Sequence, residues 1–333
     1  MTKIASETRL SKYDPSKHIV KITSDGKNFS SLPLIGFGTF QLKGEQCEGP
    51  VRYALDCGYQ HIDTAQVYYN EANIGKVVSS YYQKSGNKPF LTSKLAPKIM
   101  RQSDTMIKES IRNTLKYLET ESLDLFLIHW PAISGKKLTD PIHAKYRLQT
   151  WQILEEFKDK GYFKNIGVSN YEVRHVQEIV SMFEANKCKY RPSVNQIEFH
   201  PLYTRWDIIE YCRKVGIQII SYASLGGYES TLSYSEKKKQ NKDTTSIEAH
   251  PLLDHKAIQS IAQHYHKSAA QILLRWCIQH GAAIIPKSSH SKRIQENFDI
   301  FDFELSQAHI AEIDKIGADN KQRKFAWNPS EIV

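Results

Sequence analysis

Long apolar runs are missing from this chain of 333 residues. The longest, such as LDLFLIHW at 123–130, stop well short of the roughly 18 to 20 residues that cross a bilayer. The opening MTKIASETRLSKYDPSKH is polar and carries no apolar block of the secretory kind, so a cytoplasmic protein with no membrane association is expected. Cysteine is scarce. Cys47, Cys57, Cys188, Cys212 and Cys277 are scattered, odd in number and without a CxxC pair, which argues against a disulfide framework or a cysteine zinc site. A complete dinucleotide fingerprint is missing too: GFGTFQ supplies Gly36 and Gly38 but has Gln41 where GxGxxG needs its third glycine. No HxH pair follows the first strand pattern, so metal-dependent hydrolysis has no foothold and no metal is expected.

What is present begins with charge. A formal +9 raises the question of an anionic partner. The basic residues are spread out, and their one cluster, Lys237, Lys238 and Lys239, sits in SEKKKQNKDTTS with no interleaved aromatics. That is the composition of a solvated loop, and no nucleic-acid partner is expected. A small phosphorylated cofactor would use part of the positive balance. Hydrophobic residues at 40% and aromatics at 11% are ample for a large core, so the chain is globular.

Short β-branched or apolar runs alternate with longer amphipathic ones. Strand patterns fall at 34–39, 59–63, 89–94, 123–129, 165–168, 193–197, 217–222 and 282–286. The segment 103–119 repeats Ile107, Ile111, Thr114, Leu115 and Leu118 at helical spacing, and further helices are expected at 150–160, 171–184, 206–215, 254–265 and 268–280. Ser169 and Asn170 stand as N-caps before the helix at 171. Eight such alternations predict an α/β fold, a (β/α)8 TIM barrel of parallel strands. The rival doubly wound sheet wants the fingerprint that fails here.

Outside the repeat lie a polar tail over 1–18 and a β-hairpin, HIVKITSDGKNFSSL, with Asp25-Gly26 as its turn. Extended loops are expected at 131–147 and in a polar insertion at 227–250, and a C-terminal tail at 319–333 carries Phe325 and Trp327. No linker divides residues 19–333, which are expected to form one domain.

In a barrel of this kind the chemistry gathers where strands end. Asp63 ends the second strand pattern with Tyr68 in its loop, Lys94 ends the third and His129 the fourth. A phenol loses its proton near pH 10, and a nearby ammonium would lower that value while a carboxylate fixes the ammonium in place. Tyr68 could then protonate a forming oxyanion while His129 orients the carbonyl. Each residue alone is more readily a cap, a surface charge, a core imidazole or packing; four at strand ends together point to carbonyl reduction.

The stretches LPLIGFGTF, GYQHIDTAQVYYNEANIG, LTSKLAP, DLFLIHWP, KNIGVSNY, VNQIEFHP and IPKSSHSKRIQEN occur in this order, and with them the chain resembles the aldo-keto reductases from about Leu32 to Gly317. The tail also resembles that of fungal ketone and dicarbonyl reductases of that family. The resemblance implies a (β/α)8 barrel and an NADPH-dependent enzyme of the alcohol dehydrogenase (NADP+) type that reduces aldehydes and ketones. Its catalytic tetrad falls on Asp63, Tyr68, Lys94 and His129. Its carboxamide contacts to nicotinamide fall on Ser169, Asn170 and Gln196, and its stacking aromatic on Tyr222. The adenosine phosphate falls to Lys287, Ser288 and Arg293, adenine to Glu296 and Asn297, and further cofactor contacts to Gly38, Thr39, Asp63, Ser224 and Leu225. Lys287 and Arg293 support this on physical grounds as well, since they flank small polar residues at the start of a helical stretch, a setting for a dianionic phosphate.

Substrate contacts are expected from Phe40, Tyr68, His129 and Trp130, with Tyr69, Phe325 and Trp327 as further candidates and no cation evidently dedicated to a substrate carboxylate. The chain departs from the family pattern in reading YASLGG at 222–227 and Ser289 in its phosphate loop. The partner is a small aldehyde or ketone, and the protein a monomer or homodimer. A different class stays open: an NADPH-binding sensor or accessory subunit with low turnover.

Overall fold

The eight strand patterns pair in chain order into one parallel sheet. The computed structural model describes residues 13–227, 250–319 and 322–333. A two-stranded hairpin comes first, β1 (Ile19–Ile22) antiparallel to β2 (Ser30–Pro33). The sheet then runs β3 (Phe37–Gly38), β4 (His61–Asp63), β5 (Phe90–Leu95), β6 (Leu123–Ile128), β7 (Phe163–Ser169), β8 (Val194–Glu198), β9 (Gln218–Tyr222) and β10 (Ala283–Ile284).

The last strand returns to the first. Ile35 bridges Ile284, Gly36 N donates to Ile284 O at 2.8 Å, and Gly38 N donates to Pro286 O at 3.1 Å. This closes the barrel and explains the incomplete glycine fingerprint. A side chain at Gly36 would run into the His61 imidazole, and a Cβ at Gly38 would lie 2.5 Å from Ile285 O. Gly38 lets β3 approach the end of β10, and Gly36 leaves room for His61 of β4.

Around the barrel lie α1 (Glu48–Asp56), α2 (Glu71–Ser85), α3 (Pro97–Met100), α4 (Asp104–Tyr117), α5 (Ile142–Asp159) and α6 (Val173–Glu184). They are followed by α7 (Trp206–Lys214), α8 (Lys256–Tyr265), α9 (Ala269–Gln279), α10 (Ser291–Phe298) and α11 (Gln307–Asp319). Strand β5 is buried along its whole length, as a parallel strand covered on both faces must be. Leu125, Leu127, Val194, Ile220, Ala283 and Ile285 fill the barrel interior, and the hairpin adds Ile22 and Leu32 as a plug beneath them. Each of the leucine, isoleucine and valine side chains contributes about 1.5–3 kcal/mol by leaving water.

Several expectations change. The hairpin connection is not a two-residue turn at Asp25-Gly26 but a loop from 23 to 29, in which Asp25 Oδ1 accepts from the amides of Lys27 and Asn28 at 2.8 Å each. Helix α5 starts at Ile142 rather than 150, so the loop after β6 is shorter than 131–147. Its first two turns bury His143 and Arg147, and those polar residues hide the apolar stripe that sequence periodicity looks for.

Neither Ser169 nor Asn170 caps α6. Glu172 does, in a reciprocal box with His175, because Asn170 turns the chain through a left-handed φ of +63° first. Residues 13–18, counted with the polar tail, lie against the outer wall, where His18 stacks on Phe301 and Tyr13 packs on Phe298. Residues 1–12 and 228–249, with Lys237, Lys238 and Lys239, lie outside the described residues. Among the described residues no helix is long and apolar enough to cross a membrane.

Candidate active site

Asp63, Lys94 and His129 come from the ends of three neighbouring strands, and a short 3₁₀ turn at Gln66–Tyr68 drops Tyr68 over them. Strand register brings them together: Asp63 pairs with Thr92, and Lys94 with Leu127 two residues before His129. Lys94 Nζ lies 2.5 Å from Asp63 Oδ1 and 2.8 Å from Thr64 O. The other carboxylate oxygen accepts from Gln196 Nε2 at 2.8 Å. Lys94 Nζ stands 5.1 Å from the Tyr68 ring centroid, and the Tyr68 and His129 rings meet edge to face at 5.7 Å. The four predicted residues therefore form one cluster.

Burial dominates its electrostatics. It raises the Asp63 carboxyl and lowers the Lys94 ammonium, and each partner's charge works against that in the other. With no water to take over the lost hydration, the two ions hold each other. Tyr68 overturns the expectation of a lowered phenol. Burial pushes it well above its ordinary value, and the charge of Asp63 adds to the rise. The ammonium that was to lower it is already engaged by Asp63 and Thr64 O. Burial, and then Lys94, hold His129 well below its ordinary value, so its imidazole is neutral. His129 Nδ1 is enclosed without a hydrogen-bond partner. A bare acceptor there is cheaper than an unmet N–H, which favours the tautomer with its proton on Nε2.

Beside the cluster a network joins Ser169, Asn170, Gln196 and Tyr222. Ser169 Oγ donates to Gln196 O at 2.8 Å, Asn170 Nδ2 donates to His129 O at 3.0 Å, and Tyr222 Oη donates to Asn170 Oδ1 at 2.6 Å. Through Gln196 it reaches Asp63 and Lys94, so the predicted carboxamide group, Asp63, Lys94 and the His129 backbone are one hydrogen-bonded unit, which Tyr68 meets through its ring. Thr39 is fully buried, its hydroxyl on Asp63 O at 2.9 Å, and it braces the strand end. Ser224 is buried with its hydroxyl 2.7 Å from Ser221 Oγ, and Leu225 packs on the core, so neither side chain is free for a ligand. Across the barrel seam, Lys287, Ser288, Arg293, Glu296 and Asn297 share the segment from the end of β10 through α10. Lys287 and Arg293 are exposed and pair with no carboxylate among the described residues, whereas Ser288 and Asn297 are buried. That donor set suits a multiply charged phosphate.

A cavity of about 270 Å³ adjoins the tetrad, lined by Val67, Pro97, Lys98, Trp130, Ala132, Ile133, Ser134 and Trp327. Val67 precedes Tyr68 and Trp130 follows His129, whose ring lies 6.4 Å from that of Trp130, so chain neighbours of the cluster line the cavity. The expected wall residues sort themselves accordingly. Trp130 and Trp327 line it, their ring centroids 4.7 Å apart. Phe40 is not in the lining; it is exposed, 5.1 Å from the Tyr68 ring. Tyr69 is 73% exposed and is not in the lining, its hydroxyl accepting from Lys98 Nζ at 3.1 Å, and Phe325 packs on His200 instead. Sequence patterns missed Lys98, the charged side chain in the lining. They also missed Gln66, which ties Ala96 N to Ser110 and Thr114, and Asn70, whose amide holds Thr39 O and Leu42 O. Their roles depend on distant partners, so no local spacing signals them.

Residues 34–318 match the Aldo/keto reductase family. The chain belongs to the aldo/keto reductase family. It is 36% identical over 310 residues to a glyoxal reductase of Bacillus subtilis, covering 92% of this chain and 95% of that protein. It is 32% identical to aldo-keto reductase family 1 member A1 of Sus scrofa, covering 88% of each. Among solved structures, a Bombyx mori aldo-keto reductase in complex with NADP superposes with a TM-score of 0.74 at 26% identity, over 92% of this chain and 95% of that one. One from Brucella melitensis gives 0.72 at 30%, over 90% and 99%. The closed barrel seen here is thus the fold of its family, and the protein is an oxidoreductase of that family.

Proposed function

We propose that this aldo-keto reductase reduces aldehydes and ketones to alcohols with NADPH, and that Tyr68 is its general acid. The observation that carries this is the enclosed Lys94–Asp63 pair directly beneath Tyr68, with neutral His129 at the edge of the phenol ring.

The cofactor is NADPH, and when bound it supplies the hydride. Ser169, Asn170 and Gln196 would hold its carboxamide end and Tyr222 its ring, while Lys287, Ser288 and Arg293 would hold its phosphate, with Glu296 and Asn297 toward the adenine. The protein then has to place the carbonyl and deliver one proton. Tyr68 keeps its proton because burial raises the phenol, so the proton it is to donate is in place. His129, neutral with Nε2–H, donates a hydrogen bond to the carbonyl oxygen without competing for that proton. Lys94, held by Asp63, supplies a fixed positive field beneath the developing oxyanion. The aromatic pair Trp130 and Trp327 favours carbonyls with an apolar body, and Lys98 offers a partner to any acidic group on it.

Tyr68→Phe removes the acid and keeps the ring. The expected result is a fall in turnover of about a hundredfold or more, with NADPH binding unchanged; near-normal turnover would remove Tyr68 from the role. NADPH oxidation over a panel of aromatic aldehydes, α-dicarbonyls, ketones and aldoses ranks the substrates. Tight NADPH binding with no turnover on any of them would favour a sensor or accessory subunit instead.

A further inference from the structure

A carboxylate outside the tetrad organises the other wall of the cavity. Glu198 ends β8, two residues beyond Gln196, and its side chain is wholly enclosed. Four donors converge on it: Lys324 Nζ at 2.7 Å, Phe325 N at 2.6 Å, Ala326 N at 2.9 Å and His200 Nε2 at 3.0 Å. Three of these belong to consecutive residues of the C-terminal segment. Lys324 Nζ also lies 4.7 Å from the Tyr203 ring centroid, and Arg323 N donates to Leu202 O at 2.7 Å. Phe325 then packs on His200 and against the backbone of Gly227, and Trp327, two residues further on, closes the cavity over Trp130.

An enclosed carboxylate is costly to bury unless its lone pairs are met. Here they are met by two successive backbone amides, a lysine and an imidazole. Bonds from amides to a carboxylate are short and directional, so they set the path of residues 325 and 326. Burial raises this carboxyl, but the hydrogen bond from His200 and the charge of Lys324 outweigh it and bring the pKa down to about 2. The clasp is therefore charged at any working pH. The far end of the tail is held separately, by His175 Nε2 on Ile332 O at 2.8 Å and by Val333 N on Leu138 O at 3.2 Å. Trp327 hangs from the Glu198 end.

We propose that Glu198 is a positioning residue for substrate selection: its carboxylate clasps residues 324–326 and so holds Trp327 as the outer wall of the cavity beside Tyr68 and His129. The role rests on the carbonyl-reduction function proposed above and deepens it. The substrates it favours are aldehydes and ketones with a flat aromatic body that reaches Trp130 and Trp327. Small aliphatic carbonyls, which react at Tyr68 without reaching Trp327, are indifferent to it.

Kinetics with NADPH on 2-naphthaldehyde and on propanal test this in the wild type, Glu198→Gln, Trp327→Ala and the double variant. Glu198→Gln is expected to raise KM for 2-naphthaldehyde about tenfold, to hold its kcat within about twofold, and to leave propanal unaffected. The double variant is expected to be no worse than the worse single one, because both remove the same wall. Equal losses on the two aldehydes, or additive losses in the double variant, overturn the proposal. Should Glu198→Gln not fold, Lys324→Met loosens the same clasp; its KM for 2-naphthaldehyde rises, and an unchanged KM overturns the proposal. Tryptic cleavage after Lys324 reads the clasp without turnover: it is expected to be faster in Glu198→Gln than in the wild type, and equal rates count against the clasp. A wild type that reduces neither aldehyde removes the carbonyl-reduction function and the selection role with it, while proteolysis still judges the clasp itself.

Discussion

The Tyr68 phenol stands over an enclosed ammonium whose charge is already answered by a carboxylate, and this arrangement governs its pH behaviour. An ordinary phenol titrates near 10, and burial with the Asp63 charge raises this one. His129 is held neutral by burial from the other side. Reduction is therefore expected to proceed at a level kcat between about pH 6 and about pH 9, while alcohol oxidation, which needs the phenolate as base, climbs over the same range. A pH–rate profile of reduction with a midpoint near 8 would mean that Lys94 lowers the phenol after all. Arg293 gives a second expectation at this scale. Arg293→Ala should weaken NADPH binding by roughly tenfold to a hundredfold, the worth of one or two charge-assisted bonds, and NADH binding far less. Titration of both cofactors by fluorescence checks it, and equal losses would place the phosphate elsewhere. The tetrad was legible because Asp63, Lys94 and His129 are polar residues at strand ends and Tyr68 lies in the loop that follows the first of them. Glu198 also ends a strand, VNQIE, and only its partners in the tail, 126 to 128 residues away, distinguish it.

At the scale of elements, periodicity located the barrel strands and the middle helices, and failed where polar residues are buried. Helix α5 hides His143 and Arg147 in its first turns, and the cap of α6 is a glutamate that also serves another element. Glu172 closes the box with His175 and accepts from Arg205 Nη1 at 2.8 Å across to α7. Glu172→Ala should lose the cap and leave Arg205 with Asp207 as its remaining carboxylate partner, destabilising the protein by about 2–4 kcal/mol. Thermal unfolding would show a lower Tm, and a shift indistinguishable from that of an exposed-site control would mean that α6 needs no such cap. The two-residue strands β3 and β10 are shorter than their apolar runs, because the seam they form is bonded through Gly36, Gly38 and Pro286 rather than through a long ladder.

The whole molecule stores a sensitivity to acid. Burial first, and then Lys94, lower His61 to about 3; burial and Arg147 lower His175 to about 3; His129 lies well below its ordinary value. In the unfolded chain each imidazole takes up a proton near pH 6.5. The unfolded state thus binds more protons than the folded one between the two values. Stability is full above about pH 6.5 and falls as the pH drops toward 3, by up to about 1.4 kcal/mol per unit for each buried imidazole. Denaturant melts at about pH 7, 6 and 5 check the sign; constant stability would mean that these histidines protonate in the folded state.

Local order along the chain determined the α/β class, the eight alternations and the residue types at strand ends, because side-chain period and strand-end chemistry are properties of neighbouring residues. Only the closed barrel decided the rest. Register brought Asp63, Lys94 and His129 within reach of Tyr68, burial reversed the expected shift of that phenol, and a carboxylate at the end of β8 drew in the tail that carries Trp327. Each of these depends on which distant groups exclude water from one another, a quantity that no local stretch of sequence contains.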